Sequence, residues 1–186
     1  PVDKSQKILN AATRLFVERG FQNTSTANIS KEAGVATGTL FIYFATKDEL
    51  INTIYKEAKQ RMAEYLKEGF PEGASTRDKL KHLWAKVAAW ALDNSENFRF
   101  MHMFSASPFI TNLTREEVES TSSFAMQSIK DGMKSGEIAN IPIELFHSIL
   151  DGFLSGTVRY IAGNPSKRKK AIEDSFDVFW NGIKGK

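Results

Sequence analysis

Ile29-Ser30-Lys31-Glu32-Ala33-Gly34-Val35, followed by Ala36-Thr37-Gly38-Thr39-Leu40-Phe41-Ile42-Tyr43-Phe44, is the stretch whose reading decides the fold. Two short helical segments are separated by a tight turn containing glycine, which is the signature of a helix-turn-helix unit. Ala33 is small where the two helices would cross closely. Gly34 can take the left-handed turn conformation that a residue with a Cβ resists. Ile29, Val35, Leu40 and Phe44 are spaced to face inward. Gly38 removes a side chain from the first turn of the second helix, where a nucleic-acid backbone would approach. Any helical hairpin can share one or two of these features, so the unit has to be read with its surroundings.

Apolar positions recur at helical spacing on both sides of it, and no stretch alternates with period two for long. A first helix is predicted over Lys4–Arg19, with Ile8, Ala12, Leu15 and Phe16 on one face, capped by Asp3 with Gln6 three residues on, and closed by Gly20. The cluster Asn23-Thr24-Ser25 opens a short helix over Thr26–Ala33. After the turn, Thr46-Lys47-Asp48-Glu49 forms a capping box that starts a long helix to about Glu68. Gly69-Phe70-Pro71-Glu72-Gly73 breaks the chain. Further helices are predicted over 76–92, 96–106, 114–136, 142–163 and 166–183, the third opened by the box Thr114-Arg115-Glu116-Glu117. The expected architecture is all-α with about nine helices. Residues 1–46 are expected to form a three-helix domain containing the helix-turn-helix, and 47–186 a second helical domain with helix 47–69 as connector.

The net charge of +3 on 186 residues permits a nucleic-acid partner without demanding one. Its distribution says more. Up to Lys47 the basic residues Lys4, Lys7, Arg14, Arg19, Lys31 and Lys47 face only Asp3, Glu18 and Glu32, so this quarter carries the whole excess. A second basic run, Lys167-Arg168-Lys169-Lys170, lacks interleaved aromatics and reads as the exposed start of a helix. No apolar run approaches the roughly 18 residues of a membrane span, and the first ten residues do not read as a secretory signal. Cysteine is absent, which excludes disulfides and thiolate chemistry. His82, His102 and His147 fall on different predicted helices without metal-ligand spacing. Glu116, Glu117 and Glu119 complement a helix dipole. No nucleophile elbow, phosphate loop or dinucleotide fingerprint is present, so neither an enzyme nor a cofactor is expected.

Gly20-Phe21, Thr24-Ser25, Ile29, Ala33-Gly34-Val35, Gly38-Thr39-Leu40-Phe41-Ile42-Tyr43-Phe44 and Thr46-Lys47-Asp48-Glu49-Leu50 together resemble the TetR family of repressors. The likeness is specific over roughly Lys4 to Tyr55; beyond that it rests on length, helix count and layout. The resemblance implies a bacterial cytoplasmic homodimer whose paired recognition helices enter successive major grooves of a palindromic double-stranded operator. A ligand in the C-terminal domain would alter the fourth helix and release the DNA. It also implies phosphate contact at Thr26, a base edge at Thr37, close approach at Gly38, base or phosphate at Thr39, and phosphate at Tyr43 and Lys47. Thr26 and Thr39 can equally cap helices. Three residues depart from the family pattern: Ala36 replaces a usual Ser, Phe41 a usual Tyr and Ser30 a usual Ala.

In the C-terminal part, core packing accounts for most of the aromatic and Met residues. Such side chains also make adaptable pocket linings. Trp84, Phe98, Met101, His102 and Met126 are the candidate pocket, suited to a small, largely apolar ligand. Ile172, Phe176, Phe179, Trp180 and Ile183 form a helical stripe at the chain's end, and Gly152 and Gly156 lie four apart on the preceding helix. Together with the family resemblance these features predict a four-helix dimer face through Phe153, Phe176, Phe179 and Trp180; intrachain core is the other assignment. The expected function is a ligand-responsive repressor without a membrane partner. The alternative is a helix-turn-helix DNA-binding or adaptor protein without a small-molecule inducer, distinguished by whether a ligand abolishes operator binding.

Overall fold

The computed structural model describes residues 3–185. Among them are ten α-helices and one 3-10 turn: α1 Lys4–Arg19, α2 Thr26–Ala33, α3 Thr37–Tyr43, α4 Lys47–Lys67, α5 Thr76–Asp93, α6 Ser95–Phe104, α7 Asn112–Thr121, α8 Ser123–Ser135, α9 Ile143–Gly163, the turn Pro165–Lys167, and α10 Arg168–Ile183. The all-helical expectation holds, with one more helix than expected. The predicted helix over 114–136 is two helices, α7 and α8, broken at Ser122 (φ −108°, ψ 16°). The run Ser120-Thr121-Ser122-Ser123 supplies the reason, because short hydroxyl side chains compete with the helix for backbone groups.

The chain divides into two compact units. One holds the chain up to Arg61 together with Asn94–Ser120; the other holds Met62–Asp93 together with Thr121 onward. In the first unit, Ile8 and Phe16 of α1, Ile29 of α2 and Leu40 of α3 are completely buried. Phe16 lies 5.4 Å from Phe21 and 6.3 Å, edge-on, from Phe104, and Phe21 stacks on Phe109 at 4.1 Å. Burial of each such side chain contributes about 1.5–3 kcal/mol, so α6 and the segment after it belong to the core under the helix-turn-helix.

Two of the three predicted caps differ in detail. Asp3 makes no side-chain cap, and Gln6 donates instead to Asn10 Oδ1 at 3.0 Å. The cap of α7 is Thr111, whose Oγ1 accepts from the Thr114 N–H at 3.1 Å; Thr114 itself is buried one turn inside. The box at α4 forms, since Thr46 Oγ1 accepts from the Glu49 N–H at 3.0 Å. Glu49 Oε2 reaches back to the Ala45 N–H at 2.8 Å.

In the second unit, Trp84 of α5 stacks on Phe179 of α10 at 4.9 Å and meets Phe176 edge-on at 6.1 Å. Leu80, Ile129, Ile138, Phe146, Leu154 and Ile183 complete this core. Gly132 permits the contact of α8 with α5, because a Cβ there would sit 2.5 Å from Thr76 Cγ2. Phe176 and Phe179, expected at a dimer face, are each 1% exposed. Their stripe is the inner face of α10, fastened by Trp84 Nε1 donating to Ser175 Oγ at 3.2 Å. No helix among the described residues is long and apolar enough to cross a membrane.

Candidate nucleic-acid interface

The helix-turn-helix is held by α1 from behind. Ser25 caps α2 by accepting from the Asn28 N–H at 3.1 Å. Gly34 ends it in the left-handed conformation (φ 67°, ψ 35°), which turns the chain into α3 at little steric cost. Ser30, where a smaller side chain is usual, is accommodated inside α2: its Oγ donates to the Thr26 carbonyl at 2.8 Å. Arg14 pairs with Glu32 at 2.5 Å and ties α1 to α2.

Leu40 faces the core of this unit and fixes the roll of α3. Positions two residues to either side of it point the opposite way at helical geometry. Those are Gly38 and Ile42, and Ile42 is 81% exposed. A Cβ on Gly38 would meet nothing within 4 Å, so the glycine is not required by the chain's own packing. Thr37, Phe41 and Tyr43 are also exposed, while Thr39 is half-buried. Ala36 provides no side-chain cap, and the helix begins at Thr37. The structure therefore brings Thr37, Gly38 and Tyr43 onto one exposed helix, with Thr26 half-buried at the start of α2.

Lys47 is placed differently from the expectation. Its Nζ donates to the Phe21 carbonyl at 2.9 Å and to the Thr24 carbonyl at 3.0 Å. It also lies 4.1 Å above the Phe21 ring centroid. Thr24 is buried and donates in turn to the Gly20 carbonyl at 2.8 Å. Two of the three ammonium donors thus brace the loop between α1 and α2, and a phosphate role has only one N–H left.

Sequence reasoning passed over Phe41 and Ile42. The signal was available: both lie away from Leu40 on a helical wheel. It also passed over Asn52, which donates to the Phe109 carbonyl and accepts from the Thr111 N–H, each at 2.9 Å. Arg115 donates to the carbonyls of Ser105, Ser107 and Ile110 and fixes the same segment from its other side.

The candidate pocket residues are distributed over both units. Phe98 and Met101 are half-buried and buried on α6, and the exposed His102 ring lies 6.3 Å from Phe98. Trp84 is core, and Met126 is half-buried on α8. An open groove of about 930 Å³ lies elsewhere, between the outer faces of α9 and α10. Phe153 and Tyr160 of α9 line it with Lys170, Ala171 and Val178 of α10, and Val178 is 62% exposed. Trp180 is half-buried, with its ring stacked 6.4 Å from Phe176. Among the described residues no group of acidic and His side chains could hold a metal ion.

An exposed short helix carried on a glycine turn, above a buried three-helix core, defines a helix-turn-helix DNA-binding protein. The family of bacterial regulatory proteins, tetR family, matches residues 8–54, and a tetracyclin repressor-like C-terminal domain matches residues 55–184. The chain belongs to the tetR family of bacterial transcriptional regulators, a family not known as enzymes. A tetR-family chain from Shewanella sp. PV-4 superposes with a TM-score of 0.84 at 33% identity, covering 99% of this chain and all of that one. The fatty acid metabolism regulator protein of Bacillus subtilis is 32% identical over 77 residues, and the match spans only 40% of its length. The transcriptional repressor AcnR of Corynebacterium glutamicum is 25% identical over 170 residues, 89% of this chain and 86% of that protein.

Proposed function

We propose that this chain is a ligand-responsive repressor that binds a palindromic operator as a homodimer. α3 is its reading helix, with Thr26, Thr37, Gly38, Thr39 and Tyr43 contacting DNA. The observation that carries the reading is the outer face of α3, which is built on a buried Leu40 yet presents Phe41 and above all Ile42 to solvent. The second copy docks on the groove between α9 and α10. Gly152 and Gly156 support this, because a Cβ on either would meet nothing within 4 Å, leaving room for a partner helix. Phe153 and Val178 flank that approach, and Trp180 lies on the same helix as Val178. Residues up to about 46 act as the reading head, and residues 47–186 bind ligand and dimerise.

The ligand is small and largely apolar, and Phe98, Met101 and His102 on α6 are its candidate contacts. The name of the Bacillus relative, a fatty acid metabolism regulator, supports that class. The repressor sign follows the name of the Corynebacterium relative. The test is selection of duplexes from a random-sequence pool, then a thermal-shift screen of apolar compounds, then titration of each hit against the bound duplex. A selected palindrome, released by a compound that stabilises the protein, is the expected result. Binding without sequence preference would end this reading.

A further inference from the structure

We propose that Ile42 reads thymine, packing its side chain on the 5-methyl group of a thymine in the major groove of each operator half-site. The inference rests on the reading of α3 as the DNA-facing helix. The chemistry of that helix then restricts what it can recognise. α3 is Thr-Gly-Thr-Leu-Phe-Ile-Tyr and contains no Arg, Lys, Asn, Gln, Asp or Glu. The bidentate pairs that usually distinguish guanine and adenine need those side chains, and none is available from this helix. Hydroxyl groups on Thr37, Thr39 and Tyr43 accept or donate with either partner and discriminate weakly.

The remaining major-groove feature is apolar. Among the four bases only thymine presents a methyl group there; cytosine has a hydrogen at the same carbon. Among the described residues Ile42 is the most exposed large apolar side chain, at 81%. It stands one turn from Gly38, where a Cβ would meet open space, so α3 can come close to the bases at that end. Leu40 already fills the inward position, and Ile42 therefore has no alternative site in the core. A β-branched side chain in a helix holds nearly a single χ1 rotamer, so little freedom is lost when it docks.

The probe is the duplex recovered from a random-sequence pool. Each thymine is replaced in turn by deoxyuridine, which removes the methyl and leaves pairing unchanged. At one thymine per half-site the substitution should weaken wild-type binding about fourfold, and about fifteenfold when made in both half-sites, as expected for one buried methyl each. Ile42→Ala should bind the thymine duplex about as weakly as the wild type binds the deoxyuridine one, and should not respond to the substitution. Cytosine placed at that position should gain affinity on 5-methylation in the wild type alone.

Deoxyuridine without effect at every thymine overturns the proposal, and that measurement needs no variant. An Ile42→Ala protein as sensitive to the methyl as the wild type overturns it as well, as does sensitivity lost only in Phe41→Ala. Recovery of no preferred duplex is a different failure, because it removes the DNA-reading role of α3 and the inference with it.

Discussion

The Lys47 ammonium lies 4.1 Å above the ring of Phe21 and donates at 2.9 Å to the carbonyl of the same residue. One side chain at the start of α4 therefore holds the loop that precedes α2. Lys47→Ala should lower the stability of the protein by about 1–3 kcal/mol, as expected when a charged donor leaves carbonyls without partners. Chemical denaturation measures this. A variant of wild-type stability whose DNA affinity falls with a salt slope reduced by about one charge would return Lys47 to a phosphate role.

Asn52 is the corresponding fastener for the segment after α6. Its amide donates to the Asp48 carbonyl within α4 and to the Phe109 carbonyl, and accepts from the Thr111 N–H. Asn52→Asp keeps the acceptor and loses the donor, which sets a carboxylate against the Phe109 carbonyl. Hydrogen exchange should then speed up at residues 105–111 while α1 stays protected. Unchanged exchange in that segment would show that Arg115 holds it unaided.

The helices were legible because their apolar spacing is set by local geometry. Gly34, Leu40 and the Thr46 box could be placed from the sequence for the same reason. What a stripe packs against is not local information. Phe176 and Phe179 repeat at helical spacing whether the covering surface is α5 of the same chain or a second copy, and in the structure it is Trp84. The intrachain bonds of Lys47 were not legible for a similar reason, since its carbonyl partners lie 26 and 23 residues away in sequence. The break between α7 and α8 was legible in the hydroxyl run at 120–123, but a glycine or proline would have marked it more strongly.

Inner and outer faces of α10 should respond in opposite ways. Phe179→Ala removes a wholly buried ring and should destabilise the chain by about 3–5 kcal/mol. Val178→Glu changes an exposed side chain in the groove and should leave each chain folded while splitting the dimer. Sedimentation at several concentrations, paired with circular dichroism, separates the two. A dimer that survives Val178→Glu together with Gly156→Leu would place the interface elsewhere.

Tyr55 gives the first unit an alkaline limit. Burial pushes its phenol above the ordinary 10.0, the Arg115 charge lowers it and the Glu119 charge raises it again. The folded chain thus holds this proton more tightly than the unfolded one. Stability from this group is fully present below the unfolded value and is lost as pH rises through the higher folded value. Tyr55→Phe should therefore lose less stability than the wild type as pH rises past the ordinary tyrosine value of 10.0. Parallel slopes in urea unfolding would contradict the assignment.

Helix α4 offers a route from the ligand to the DNA. Its 21 residues extend about 32 Å at helical rise. The Lys47 end is bound to the α1–α2 loop of the first unit. At the other end the Leu66 carbonyl accepts from His82 Nε2 of α5 at 3.0 Å, and Phe70 packs edge-on against Phe124 of α8 at 5.0 Å. A ligand that shifts α5 or α8 would act on the Leu66 end of α4, while its Lys47 end holds the α1–α2 loop. If that coupling operates, operator DNA must weaken the ligand by the factor by which the ligand weakens DNA, typically about 5- to 150-fold. Titrating the compound from the thermal-shift screen with and without operator measures the factor. His82→Ala should bring it toward one while DNA affinity without ligand stays near the wild-type value, because the lost bond lies at the far end of α4. A full-sized factor in His82→Ala would show that the signal reaches the reading head by a route other than the Leu66 end of this helix.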